Sequence, residues 1–329
     1  MRIHRSSAIG TALLTALALT ACGSSSTGSS DSSTASASAS ATSRAVQTAF
    51  GEVTIPTAPA KAIALEGGIG PLLGADITPV ATADGDLPDS LLPEEYTKVK
   101  DLPVILGPDG YDLEKIAALQ PDVLIGFVRA DKEGKVSAES KAEWEKLNAI
   151  APTVLILSDG SAGTKDATLK MSEALGDGAD AEAAKKAYDT KAEQIKTSYA
   201  DILAKNVFAP MDYYEEVYVY SPISWPGDTI SDVGGKLTKV SSGVSGENAA
   251  FLSAEQIGKV DDATVVLFDQ GVDGKPTEGA TGLSGLPTFK TLPAVKAGHS
   301  YGLSYFFADR YETGLKSLES LETTLKKLQ

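Results

Sequence analysis

The sequence predicts an α/β protein of two Rossmann-like lobes, with mainly parallel sheets, bridged by one long rigid α-helix and leaving a cleft between the lobes. Three observations carry this. From Arg44 to Leu157, short apolar runs alternate with helical stretches. Ala181 to Ala204 then contains no Gly or Pro and is rich in Ala, Lys, Glu and Tyr. After it the alternation restarts and continues to the C-terminus.

The elements follow in order. Residues 1–21 read as a signal peptide: Arg2, His4 and Arg5 form a basic start, and Ala8 to Leu19 form a short apolar stretch. A spanning helix needs about 20 apolar residues, so this stretch is too short to remain in the membrane. It ends in Leu19-Thr20-Ala21-Cys22, and Cys22 is the single cysteine of the chain. Small residues before a cysteine resemble the bacterial lipobox, in which that cysteine is diacylated and becomes the new N-terminus. Two acyl chains anchor stably where one does not. Residues 22–44 continue as a Ser/Ala-rich flexible tether, because this composition buries too little apolar surface to fold.

Residues 45–165 are expected to form the N-terminal lobe. Ala62 to Leu65 is a short strand, followed by the turn Gly67-Gly68-Ile69-Gly70. Pro79 to Ala83 is a second strand, Leu113 to Leu119 a helix stopped by Pro121, and Asp122 to Phe127 a buried strand. Lys141 to Asn148 is helical and Thr153 to Leu157 is another buried strand. Residues 166–206 are the inter-lobe helical segment. Within it Ala181 to Ala204 is expected as one helix of about 36 Å, with Ala187, Gln194, Ile195, Tyr199 and Ile202 on one stripe. Residues 207–329 form the C-terminal lobe: strands at Val217–Tyr220 and Ala263–Phe268, helices starting at Ser231 and Ala254, and a closing helix from Tyr311 to Leu328.

Composition removes several functions. The net charge of −15 argues against nucleic acid as a partner, since phosphate binding needs a basic face. His4 and His299 are the only histidines, so a clustered His/Cys metal site is not expected. Gly67-Gly68-Ile69-Gly70 and Gly234-Gly235-Lys236 lack the spacing of nucleotide-binding loops. They read instead as turns where backbone passes closely.

Several blocks resemble the siderophore, haem and cobalamin group of ABC-transporter solute-binding proteins, the class III periplasmic-binding-protein family. They are Ala62 to Glu66 with Leu72 to Val80, Asp112 to Gly126, Ile150 to Val154, Phe251 to Ile257, and Leu292 to Gly298 with Tyr301. The resemblance runs from about Gly51 to the C-terminus and implies a two-lobed fold with a bridging helix. It implies no catalysis. It also implies a ferric siderophore as ligand, an ABC permease with its ATPase as partners, and a monomer anchored outside the cell through Cys22. One acidic residue on each lobe docks to the permease in this family, and Glu114 and Glu255 stand at the matching positions.

A ferric siderophore needs aromatic walls and cations facing its chelating oxygens. After cleavage only Arg44, Arg129 and Arg310 remain as arginines. Arg129 follows a buried strand, and Arg310 follows Tyr305-Phe306-Phe307 in an expected loop. Trp225 lies between prolines in a second expected loop, and Glu66 ends the first strand. Ligand contacts are therefore expected at Arg129, Trp225, Arg310, Tyr305, Phe306 and Glu66, with the iron held by the siderophore itself. Two arginines in an acidic protein suit a neutral or cationic ferric hydroxamate better than a trianionic catecholate. Haem is an alternative: His299, in the turn before Tyr301, is badly placed as an axial ligand, while Tyr213 and Tyr214, following Met211 in an expected loop, keep the option open. Cobalamin fits the same fold, and a cell-surface enzyme is the alternative of a different class.

Overall fold

The structure, a computed structural model, describes residues 42–83, 90–131 and 133–329. The expected signal peptide, Cys22 and the tether up to residue 41 lie outside the described residues. The tether boundary at residue 44 is corrected. Strand β1 (Ser43–Thr48) pairs antiparallel with β2 (Gly51–Pro56), and Arg44 sits opposite Ile55 with its Nη2 donating to Thr57 O at 3.1 Å. The ordering comes from Val46, Val53 and Ile55, which join the core of the N-terminal lobe.

That lobe is built on β3 (Ala62–Ala64), α1 (Ile69–Gly74), β4 (Ala81–Thr82), α2 (Pro93–Val99), the small β5–β6 pair (Leu106–Gly107, Gly110–Tyr111), α3 (Leu113–Leu119), β7 (Val123–Arg129), α4 (Ala138–Asn148) and β8 (Thr153–Ser158). Its four-stranded sheet has the order β4-β3-β7-β8 and is parallel throughout. Strand β7 is buried on both faces up to Val128, which is why its sequence is a continuous apolar run. Trp144 of α4 stacks on Phe50 at 5.0 Å and its Nε1 donates to Thr153 O, so it is a packing residue.

The connecting region comprises α5 (Thr164–Leu175), α6 (Gly178–Ser198) and α7 (Ala200–Lys205). The single 24-residue helix is therefore corrected to a 21-residue helix and a short one, broken at Tyr199. No Gly or Pro marks the break. Tyr199 leaves helical geometry (φ −117°, ψ 21°) as its side chain enters the core, where its hydroxyl lies 3.4 Å from Glu322 Oε1. The buried stripe of α6 is Ala181, Tyr188, Ala192 and Ile195; Ala187 and Gln194 are exposed.

The C-terminal lobe follows with β9 (Val207–Tyr214), β10 (Glu216–Tyr220), α8 (Trp225–Asp232), β11 (Lys236–Leu237), α9 (Lys239–Ser242), β12 (Ala249–Leu252), a 3₁₀ turn at Ala254–Val260 and β13 (Val265–Gln270). Helices α10 (Glu278–Gly285) and α11 (Pro293–Lys296), β14 (Ser300–Ser304) and α12 (Tyr311–Lys327) complete it. The sheet order is β12-β10-β9-β13-β14, with β11 beside β9. It is mixed: β9, β13 and β14 are parallel, while β10 runs antiparallel to β9 and to β12. The helix expected from Ser231 to Leu237 lies earlier, at Trp225–Asp232. Ser224 caps it by accepting from Gly227 N at 3.1 Å, and Pro226 fits its first turn.

The two lobes meet through polar contacts as well as through the helices. Buried Lys165 of α5 pairs with Asp228 of α8 and donates to the Tyr188 hydroxyl of α6 at 3.0 Å. Tyr188 in turn donates to Asp232 at 2.6 Å. Ala162 N donates to Ile223 O at 2.9 Å.

Candidate functional site

Beyond β3 the chain continues through Leu65 and Glu66 into the glycine turn. The Phe127 amide donates to Glu66 O at 3.0 Å, which draws the ends of β3 and β7 together. Gly67 turns with φ +72°, and a Cβ there would lie 2.4 Å from the Phe127 ring, so only glycine lets the turn pass over that ring. Arg129 is the last residue of β7. Its Nη2 lies 2.6 Å from Glu66 Oε1 and its Cζ lies 5.0 Å from the Phe127 ring centroid. Both side chains keep over a third of their surface exposed, so this ion pair faces solvent at the lobe edge.

The C-terminal lobe supplies the opposite wall. Trp225 is the first residue of α8 rather than part of a loop, and its Nε1 donates to Thr164 Oγ1 at 3.0 Å. Its ring meets Phe307 edge-on at 5.5 Å. The Arg129 Cζ lies 5.7 Å from the Trp225 ring centroid. A cation from one lobe thus rests against aromatic faces from both. Between them is a cavity of about 190 Å³ lined by Glu66, Leu91, Phe127, Trp225, Phe307 and Asp309, among others.

Three sequence expectations are corrected here. Arg310 does not line this groove. It stands just before α12, is 6 % exposed, and clamps Glu95 of α2 with both terminal nitrogens, Nη1 donating to Oε1 at 2.8 Å. Glu95 consumes the fork that a ligand would need. Phe306 is 1 % exposed and packs edge-on against Tyr220 at 5.2 Å within the core. Tyr305 is likewise buried, at a left-handed turn with φ +54°. That turn points Phe306 inward and leaves Phe307 for the groove.

Phe127 and Asp309 are among the lining residues that sequence alone left aside, with Ile69, Ser90 and Leu91, together with the choice of Phe307 over its neighbours. Phe127 sits in an apolar strand and looks like core. Asp309 gives no local signal beyond its place before a helix.

The chain was compared with known proteins. A model of the periplasmic binding protein family matches residues 75–305. The siderophore periplasmic binding protein from the fuscachelin gene cluster of Thermobifida fusca is 32 % identical; the match covers 83 % of this chain and 98 % of that one, with a TM-score of 0.72. This chain belongs to the siderophore-binding (class III) family of ABC-transporter solute-binding proteins. A Bacillus subtilis (strain 168) protein, provisionally named as the ABC transporter substrate-binding lipoprotein YhfQ, is 27 % identical over 311 residues and 88 % of each chain. FhuD2 of Staphylococcus aureus with bound ferrioxamine B shares the fold at a TM-score of 0.63 and 18 % identity, over 82 % of this chain and 99 % of that one.

Members of this solute-binding family are extracytoplasmic carriers and not catalysts. In this class III protein Glu114 lies in the first turn of α3 and Glu255 in the first turn of the 3₁₀ segment, one on each lobe. Both are exposed, and the Ser253 hydroxyl donates to Glu255 at 2.8 Å, holding its carboxyl below the ordinary range. None of the conceivable haem ligands lines the groove among the described residues. Met211 is fully buried, and His299 Nδ1 lies 3.2 Å from Thr264 O.

Proposed function

We propose that this protein, anchored through a lipid on Cys22 and held off the membrane by its tether, captures a ferric siderophore in the groove and delivers it to an ABC permease and its ATPase. One observation supports this above the others: Arg129 stands between Phe127 of one lobe and Trp225 of the other. Its planar fork suits chelating oxygens, and the rings suit the carbon skeleton around them. Glu66 keeps the guanidinium in place until the ligand arrives. The anionic surroundings favour a neutral or cationic hydroxamate chelate over a trianionic catecholate. Glu114 and Glu255 supply the docking charges on the two lobes.

Tryptophan-fluorescence titration of the mature protein with ferrioxamine B, a ferric tris-catecholate, haemin and cobalamin tests the ligand. Saturable quenching by the hydroxamate alone supports the proposal, and saturation by haemin alone overturns it. Charge reversal at Glu114 and Glu255 tests delivery: uptake into cells falls while binding in solution is unchanged.

A further inference from the structure

We infer that the importer-facing surface of this protein is a pair of matched patches, one on each lobe, in which exposed apolar side chains flank a docking glutamate. Val104 and Leu106 stand beside Glu114, and Phe251 with Tyr214 stands beside Glu255. The partner is the membrane-embedded part of the ABC importer, offering each patch a basic side chain set in an apolar socket. The inference rests on the docking roles of Glu114 and Glu255 given above and adds the contacts that hold the complex together.

Among the described residues the exposed large apolar side chains are Val104, Leu106, Leu157, Tyr214, Phe251 and Val272, and four of these six lie at the two places. On the N-terminal lobe, Thr82 N donates to Pro103 O and Ile105 N to Thr82 O, so residues 103–106 run along the outer edge of the sheet beyond β4. Ile105 turns into the core, while Val104 and Leu106 on either side of it face solvent, at 41 % and 40 % exposed. The start of α3 is tied to this edge: Asp112 N donates to Ile105 O at 2.9 Å and Lys115 Nζ to Val104 O at 2.8 Å. Glu114 stands between these two anchoring residues in the chain. The C-terminal lobe repeats the arrangement. Strand β12 is the outer strand of its sheet, and Phe251, 52 % exposed, lies opposite Tyr218 of β10 with the rings 4.9 Å apart. Tyr218 meets Tyr214, 49 % exposed, at 5.9 Å, so the three rings form one patch. Ser253 follows Phe251 by two residues in extended backbone and donates its hydroxyl to Glu255 at 2.8 Å, which keeps that carboxylate on the Phe251 side of the strand.

Apolar side chains exposed singly are ordinary; the same pairing with a glutamate on both lobes is not. An exposed ion pair contributes little, because water screens it. Apolar neighbours that close over the pair exclude that water and strengthen it, and large side chains in such positions carry most of an interface's affinity. The glutamates therefore steer and orient the encounter, and the apolar flanks hold it. Other occupants are opposed by charge. A second copy meeting through a symmetric interface would bring like carboxylates together. An anionic lipid surface is repelled by the same carboxylates and by the net charge of −15. The chelate has its own groove, lined by other residues.

Photo-crosslinking in the native cells tests this with the full-length chain, carrying p-benzoylphenylalanine in place of Leu106, of Phe251 or, as a control on the opposite edge strand β8, of Leu157. The probes replacing Leu106 and Phe251 are expected to mark the membrane subunits of an ABC importer, identified by mass spectrometry, and the control is expected not to. Adducts to a second copy or to lipid alone, or no adduct at all, overturn the inference. In a second arm, Leu106→Ser combined with Phe251→Ser is expected to lower uptake of radiolabelled ferrioxamine B about tenfold or more, with chelate binding in solution within about twofold of the wild type. Undiminished uptake by this variant overturns the inference as well. If charge reversal at Glu114 and Glu255 lowers uptake while the two probes mark no importer, docking by the glutamates stands and the apolar flanks have no part in it. If charge reversal has no effect and the probes mark nothing, the docking reading fails first and takes the inference with it.

Discussion

Arg310 and Glu95 form a buried two-pronged ion pair that joins the C-terminal lobe to the N-terminal lobe, between residues 215 positions apart in the chain. The Arg310 side chain lies so close to α1 that a Cβ on Gly70 would approach its Cδ to 2.7 Å. The pair therefore sits where the lobes touch, behind the aromatic groove.

Removing one partner strands the other charge in the interior. Glu95→Gln is expected to destabilise the protein by roughly 3–5 kcal/mol. Replacing both residues by apolar ones of similar volume, as in E95L/R310M, is expected to recover most of that loss. Urea denaturation of the two variants checks this. Equal loss in both would mean that packing, not charge, holds the contact.

Asp309 makes stability fall with rising pH. Its carboxyl titrates near 6 in the folded protein, above the ordinary 3.8. Between these values the folded state holds more protons than the unfolded one, so unfolding becomes easier as pH rises. The loss is absent below about pH 4, complete above about pH 7, and amounts to roughly 3 kcal/mol at most. Melting temperatures of wild type and D309N across this range are expected to diverge, with the wild type falling relative to the variant. Parallel curves would show that Asp309 titrates normally.

The neighbouring phenylalanines have separable roles. Phe306→Ala is expected to cost about 3–5 kcal/mol, since it empties a core position beside Tyr220. Phe307→Ala is expected to cost less stability and to weaken chelate binding, because its ring meets Trp225 at the groove. Denaturation curves and fluorescence titrations on both variants separate the two effects.

The two tryptophans report on different places. Trp225 lines the groove, while Trp144 is stacked on Phe50 and bonded to Thr153 O. Ligand quenching is expected to vanish in Trp225→Phe and to persist in Trp144→Phe. Arg129→Ala is expected to weaken binding, and a variant with unchanged affinity would remove Arg129 from the ligand site.

Local sequence made much of the fold legible. Strand β7 announced itself because a strand buried on both faces of a parallel sheet needs an unbroken apolar run. The closing helix α12 was legible from its periodicity, with Leu318, Leu321 and Leu325 buried at helical spacing. Strand β9 was not. It carries Pro210 and Asp212, residues that argue against a central strand, yet it pairs with β10 and β13. The C-terminal core overrides its local preference, with Phe208, Ala209 and Met211 fully buried. The break at Tyr199 was equally hidden, because no Gly or Pro marks it in the sequence.

By itself the sequence determined the α/β order, the two lobes with helices between them, the Arg129–Trp225 neighbourhood as a place to look, and the family. These depend on short-range patterns: apolar periodicity, turn residues and blocks of fixed spacing. Only the tertiary structure decided which arginine rests against the aromatic rings and which is consumed by a carboxylate from the other lobe. It also decided which of three adjacent aromatics faces outward. Charge pairing and side-chain direction depend on partners far away in the chain, and no local pattern encodes them.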